Sequence, residues 1–169
     1  MVLYQKVINS PVGIIVIICS DDHIINLSFE KDNSIRFISR YFNNAEVLGE
    51  NMLCRHCADE LAGYFEGKRR TFDLPIKLYG TQYQQAVLYA LQRIPYGKTV
   101  TYAEITEMTG QGSARSAGGA LGQNPVAIIL PCHRVIGANG NIGGFCRGYA
   151  MTDIKRKLLV FEGAAVSPS

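Results

Sequence analysis

The sequence has no apolar stretch long enough to cross a bilayer. Its longest such run near the N-terminus, Ile14 to Cys19, is six residues, about a third of the ~20 that a spanning helix needs. The run also lacks the basic lead-in and small-residue cleavage site of a secretory signal. Cysteine is sparse and odd in number, with five residues at positions 19, 54, 57, 132 and 146. They have no regular spacing, which argues against a secreted disulfide framework. Repeats and low-complexity segments are absent. These absences point to a soluble intracellular protein, cytoplasmic, or nuclear in a eukaryotic cell.

What is present suffices for a core. The 169 residues are 47% hydrophobic and 18% charged, a balance that excludes a disordered tail and allows one large domain or two small ones. The net charge of +3 hides an asymmetry. Residues 1–80 carry nine Lys/Arg against ten Asp/Glu, whereas residues 81–169 carry eight against four. A basic second half suggests a polyanionic partner, although charge alone leaves many metabolic enzymes in play.

The first eighty residues read as a small sheet with helices. Val2–Ile8, Val12–Cys19 and His23–Phe29 are β-branched runs separated by Asn9-Ser10-Pro11 and Ser20-Asp21-Asp22, which predicts an antiparallel meander. Ser34–Tyr41 can form a short helix. Leu53, Cys57, Leu61, Tyr64 and Phe65 recur at helical spacing before Gly67. From Tyr83 the pattern turns helical: Tyr83, Val87, Leu91 and Ile94 form one stripe that stops at Pro95. Thr101 with Glu104 makes a capping box for a helix ending at Gly110, and Ser113 can cap another running to Gly122. Helix, tight turn, helix is the outline of a helix-turn-helix. Val126–Leu130 reads as a buried strand, Gly137–Gly148 as a glycine-rich stretch, and Ile154–Phe161 as a final helix. The expected domains are 1–79 and 80–163, with 164–169 a tail.

The chemically informative stretch is Pro131-Cys132-His133-Arg134-Val135. A nucleophilic thiol must become a thiolate, and an imidazole is a usual means. Adjacent residues of a strand point to opposite faces, however. Either Pro131 starts a turn that brings the two together, or a water relays the proton. The competing structural reading makes Cys132 a small buried hydrophobe and His133 a satisfied bystander.

The wider string resembles the O6-alkylguanine-DNA alkyltransferases. The resemblance runs in order through Ile94-Pro95-Tyr96-Gly97-Lys98-Thr99, Thr101-Tyr102, Ala114-Arg115, Gly118-Gly119-Ala120, Asn124-Pro125, Pro131 to Val135, Gly143-Gly144-Phe145, and Leu158-Leu159 to Glu162-Gly163. A looser match covers Ser10-Pro11-Val12-Gly13 and Tyr64-Phe65-Glu66-Gly67. It implies an α/β (α+β) chain: a small N-terminal antiparallel sheet with helices, ribonuclease H-like, then a mostly helical domain with a winged helix-turn-helix. The implied activity is stoichiometric, irreversible transfer of the alkyl group from O6-alkylguanine, and from O4-alkylthymine, in DNA to a cysteine. No metal or cofactor is implied. The implied partner is double-stranded DNA entered through the minor groove by a monomer, with no membrane involved.

The resemblance also implies roles. Cys132 would accept the alkyl group. His133, through a water and steadied by Glu162, would draw the thiol proton, with the carboxylate favouring the charged imidazole. Tyr102 would bond the N3 edge of the flipped guanine and help it leave. The carbonyls of Cys132 and Val135 would accept from its amino group, and the Cys146 amide would approach O6. Arg115 would fill the space left by the extruded nucleotide, on a helix whose Ala114, Gly118 and Gly119 allow close approach to DNA. Ser113, Thr101, Arg134, Gly144 and Phe145 complete the expected DNA and substrate contacts, and Asn124 would be the hinge between recognition helix and active site. Two departures stand out: Phe145-Cys146 replaces a tyrosine followed by serine or arginine, and Arg115-Ser116-Ala117 replaces the usual Arg-Ala-Val.

Other readings are weaker. Cys54-Arg55-His56-Cys57 resembles half a zinc site without a second pair. Some relatives bind zinc in the N-terminal half, but Ser20, not Cys19, falls near one of those positions. Lys155-Arg156-Lys157 reads as a solvated helix face. The rival class is a non-catalytic DNA-binding module, either a lesion-flagging relative, of a kind that replaces the acceptor cysteine, or a transcriptional regulator with this helix-turn-helix; a cysteine hydrolase would leave Arg115 and its small-residue helix unexplained.

Overall fold

A computed structural model describes residues 1–143 and 151–166. The chain divides by internal contacts into two units, Met1–Tyr79 with Pro125–Ile129, and Gly80–Asn124 with the described residues from Leu130 onward. Pro125–Ile129, expected within the second domain, thus associates with the first.

In the first unit, β1 (Val2–Ser10), β2 (Gly13–Cys19) and β3 (Ile24–Ser28) form the antiparallel meander. Its first turn is tied by the Ser10 hydroxyl, which donates to the Gly13 carbonyl at 2.7 Å and accepts from the Val12 N–H. A strand missing from the expected pattern, β4 (Glu46–Leu48), joins the edge parallel to β1, giving the order β3-β2-β1-β4. The sheet is therefore mixed rather than antiparallel. Three exposed residues carry no apolar alternation, so pairing alone defines β4. β2 lies inside the sheet and is buried on both faces from Ile15 to Cys19, hence its continuous apolar run. Helices α1 (Lys31–Tyr41) and α2 (Met52–Phe65) pack on the sheet. Leu3, Val16, Ile18, Ile25 and Phe42 form one core cluster.

The expected strand at 126–130 does not form. Val126 makes one isolated parallel bridge to Leu27, supported by Leu27 N–H on the Pro125 carbonyl (2.7 Å) and by the buried Asn26 amide on the same oxygen (3.0 Å). Ile128 then has φ +70°, and the Ile129 N–H closes a γ-turn onto the Ala127 carbonyl at 2.9 Å. A β-branched residue at positive φ is strained. Apolar composition signalled the burial correctly; the backbone path it could not signal.

In the second unit, α3 (Gln82–Ala90) continues as a single 3-10 turn to Arg93. α4 (Tyr102–Thr109) and α5 (Ala114–Leu121) make the helix-turn-helix and pack on α3. Both carry the capping boxes expected at Thr101 and Ser113. Two short parallel strands, β5 (Val100–Thr101) and β6 (Val135–Ile136), pair Val100 with Val135 and Thr101 with Ile136. They bring Tyr102, the next residue after β5, alongside the chain that leaves Cys132. Helix α6 (Thr152–Phe161) packs on the Cys132–Arg134 turn.

Candidate active site

Two consecutive tight turns present the cysteine. The Asn124 amide donates to the Leu130 carbonyl at 2.8 Å, and the Cys132 N–H reaches the same oxygen at 2.8 Å. Pro131 lies between with φ −81° and ψ 66°, an inverse γ-turn. Cys132–Arg134 then form one 3-10 turn, closed by the Val135 N–H on the Cys132 carbonyl. Pro131 does start a turn, yet neither His133 nitrogen hydrogen-bonds to the thiol among the described residues, so the turn alone does not join imidazole to cysteine. Cys132 is buried, 4% exposed, and His133 is fully enclosed.

His133 Nε2 stands 2.8 Å from Glu162 Oε1. Burial by itself would raise the Glu162 pKa, but hydrogen bonds from His133 and Arg134, and their charges, hold it far below the usual carboxylate range. An ionised carboxylate only accepts, so Nε2 carries the proton. Burial pushes the His133 pKa down; the Glu162 bond and charge oppose this, while the charges of Arg134 and Lys155 add to it. Glu162 does favour the charged imidazole, as expected, but burial outweighs it and the neutral form is favoured. In this tautomer Nδ1 is a bare base, and it is buried with no hydrogen-bond partner among the described residues.

Arg134, expected among the DNA and substrate contacts, is turned inward. It is buried, with Nε on Glu162 Oε2 at 2.9 Å, Nη2 on Oε1 at 2.9 Å and Nη1 on the Ile94 carbonyl at 2.7 Å. Its guanidinium lies 5.7 Å from the Tyr96 ring centre. A buried carboxylate needs this much compensation to remain charged. Gly97 adds its N–H to Glu162 Oε2 at 3.3 Å. Its φ is +75°, and a Cβ there would lie 2.9 Å from the Glu162 carbonyl, so only glycine fits this approach.

Lys155 is a second correction. It is 1% exposed rather than solvated, and its Nζ donates to the Val135 carbonyl at 2.6 Å and lies 5.9 Å from the Tyr102 ring centre. Lys157 on the same helix is exposed, as expected. The signal was present: Met151, Lys155, Leu158, Leu159 and Glu162 recur at the spacing of one helix face, and all are buried. Tyr102 is half-buried at the first turn of α4, and burial together with the Cys132 charge raises its pKa, so it stays a hydroxyl donor.

The remaining expected contacts lie on the helix-turn-helix. Thr101 and Ser113 use their hydroxyls as caps. Ala114, Arg115 and Gly119 are exposed on α5, and a Cβ at Gly119 would meet nothing within 4 Å. Gly118 is half-buried, and a Cβ there would lie 3.7 Å from the Tyr102 ring. Gly144, Phe145 and Cys146 lie outside the described residues. Among the described residues no group of three His, Cys, Asp or Glu could hold a metal ion.

Beside this geometry stand the likenesses of the whole chain to known proteins. The 6-O-methylguanine DNA methyltransferase ribonuclease-like domain matches residues 3–78, and the DNA binding domain of the same name matches residues 82–164. A methylated-DNA–protein-cysteine methyltransferase of Methanosarcina acetivorans is 37% identical over 164 residues, covering 96% of this chain and 99% of the relative. The chain belongs to this family. The crystal structure of Mycobacterium tuberculosis O6-methylguanine methyltransferase superposes with a TM-score of 0.81 at 33% identity, covering 99% of this chain and 96% of that one. Mycobacterium tuberculosis OGT in complex with DNA gives 0.79 at 34% identity, covering 96% and 93%. Family membership accounts for the mixed α/β first unit and the helical second unit.

Proposed function

We propose that the protein repairs alkylated DNA by moving the alkyl group of O6-alkylguanine onto Cys132 and is consumed in the process. The observation that carries this reading is the bare, buried Nδ1 of His133, whose other nitrogen is committed to an ionised Glu162. Neutral His133 takes the Cys132 proton through a bridging water at Nδ1. The thiolate sulfur attacks the alkyl carbon in line, a C–S bond forms, and the C–O6 bond breaks with its electron pair passing into the guanine ring. The Tyr102 hydroxyl, kept protonated by burial, donates to the ring edge and the base leaves neutral. The product thioether has no carbonyl for water to attack, so each molecule acts once. O4-alkylthymine is taken by the same chemistry.

The reacting carbon is out of reach in stacked DNA, so the nucleotide is flipped into the pocket. Exposed Ala114 and Gly119 let α5 enter the ~6 Å minor groove, and Arg115 fills the vacated stack. The guanine amino group meets the Cys132 and Val135 carbonyls, each of which already accepts one hydrogen bond and has a second lone pair. The protein works as a cytoplasmic monomer. The test is intact mass after mixing with O6-methylguanine duplex: one methyl gained per molecule, on the Cys132 peptide, and none in Cys132→Ser, which still binds DNA. Label persisting in that variant would reassign the acceptor.

A further inference from the structure

Ser116, one residue beyond Arg115, has a hydroxyl on which four hydrogen bonds converge. It donates to the Ser113 carbonyl at 3.1 Å and accepts from the Ser113 N–H at 2.9 Å and from the Ser113 hydroxyl at 3.3 Å, and Tyr83 Oη lies 2.6 Å away. A serine hydroxyl has one proton and two lone pairs. With its proton on the Ser113 carbonyl, its two lone pairs are shared among the Ser113 N–H, the Ser113 hydroxyl and the Tyr83 hydroxyl, and the Tyr83 contact is the shortest of the four. The Ser113 hydroxyl in turn accepts from the Ser116 N–H at 3.1 Å, which completes a reciprocal cap on the first turn of α5.

Tyr83 is the second residue of α3, so this bond ties the start of α3 to the start of α5. Its ring also lies against the turn between α4 and α5. Gly112 there has φ +80°, and a Cβ on it would overlap the Tyr83 ring and hydroxyl. The usual Arg-Ala-Val of the resemblance has no hydroxyl at this point, whereas Arg115-Ser116-Ala117 supplies one. The departure from the pattern is thus the atom that receives Tyr83.

We infer that Tyr83 and Ser116 are positioning residues for Arg115: they lock the first turn of α5 so that Arg115 meets the duplex already directed for insertion. This rests on the proposed stacking role of Arg115. A helix start has four unpaired N–H groups and frays unless capped. Ordering a frayed turn during DNA binding would cost conformational entropy at the moment of flipping, and a turn ordered beforehand avoids that cost. Arg115 is itself exposed, so what the pair controls is the backbone direction from which its side chain extends.

Single-turnover transfer, measured at saturating O6-methylguanine duplex and with free O6-benzylguanine, tests the inference. Ser116→Ala and Tyr83→Phe should each lower the duplex-to-free-base rate ratio about 2- to 10-fold, the equivalent of one neutral hydrogen bond. The double variant should be no worse than Ser116→Ala alone, because that change already removes the Tyr83 bond along with the hydroxyl's bonds to Ser113. Ser116→Thr keeps the hydroxyl and should restore the ratio. Arg115→Ala, run alongside, should lower the ratio further. If Arg115→Ala lowers the ratio and the other two do not, the inference fails while the stacking role stands. If Arg115→Ala leaves the ratio unchanged, the stacking role fails and takes the inference with it. Equal slowing of both substrates by Ser116→Ala or Tyr83→Phe would mark a general folding contact and also overturn it.

Discussion

Arg134 grips Glu162 with two nitrogens, Nε on Oε2 and Nη2 on Oε1, both at 2.9 Å. The fork leaves Oε1 directed at His133 as well, so a residue adjacent in sequence to the histidine sets the orientation of the histidine's own partner. A planar guanidinium can hold both oxygens at once; an ammonium cannot. Arg134→Lys should therefore slow transfer to duplex and to free base alike, by roughly 10-fold, because the carboxylate loses its fixed angle. Arg134→Met, which leaves Glu162 half-paired in the interior, should cost about 3–5 kcal/mol of stability. Unfolding in urea and single-turnover rates measure the two effects, and a loss of DNA affinity alone would place Arg134 back on the surface.

Glu162→Gln tests the tautomer. A glutamine amide can offer its N–H to His133 Nε2, which moves the imidazole proton to Nδ1 and removes the base. Transfer should fall by about 10²-fold or more, as happens when the orienting carboxylate of a catalytic histidine is made neutral. Imidazole nitrogen shifts in NMR would show the switched tautomer. An unchanged rate would dismiss the relay.

Stability should fall with acid in two stages. The folded pKa of His133 lies below its free value of about 6.5, and that of Glu162 lies below about 4.3. Between each folded and free value the unfolded chain holds more protons, so stability rises with pH. Both contributions are complete above pH ~6.5. That of His133 declines as pH falls below this point, and that of Glu162 follows below pH ~4. Urea midpoints against pH give the curve, and His133→Asn should flatten its upper stage. A wild-type midpoint that rises on going from pH 7 to pH 5 would contradict the His133 shift.

Lys155→Met removes a buried charge that holds the His133 pKa down. The imidazole should then titrate at higher pH, and the Val135 carbonyl loses its donor at a cost of about 1–3 kcal/mol. An NMR titration of the His133 ring is the measurement. No change in the ring titration would mean that the ammonium is electrostatically screened from the histidine.

Local rules were legible in the sequence because their partners are close along the chain. The capping boxes at Thr101 and Ser113 span three residues each, and the structure contains both. The meander of β1 to β3 follows from apolar runs and their turn residues. Cys132 and His133 stood out as a nucleophile beside a base, and the longer string pointed to the family. Tertiary structure decided the rest. Arg134 and Lys155 have side chains that ordinarily favour water, and only the arrival of a carboxylate 28 residues away and a carbonyl 20 residues away explains why both are buried. The segment at 126–130 had the composition of a strand, yet its hydrogen bonds go to Asn26 and Leu27, about a hundred residues earlier, and its backbone turns through a strained Ile128. The charge state of His133 is a balance of burial, aided by the charges of Arg134 and Lys155, against Glu162. Composition and periodicity report what a residue prefers on average. A desolvated charge is governed instead by the few groups within hydrogen-bonding reach, and those are brought together only when the chain has folded.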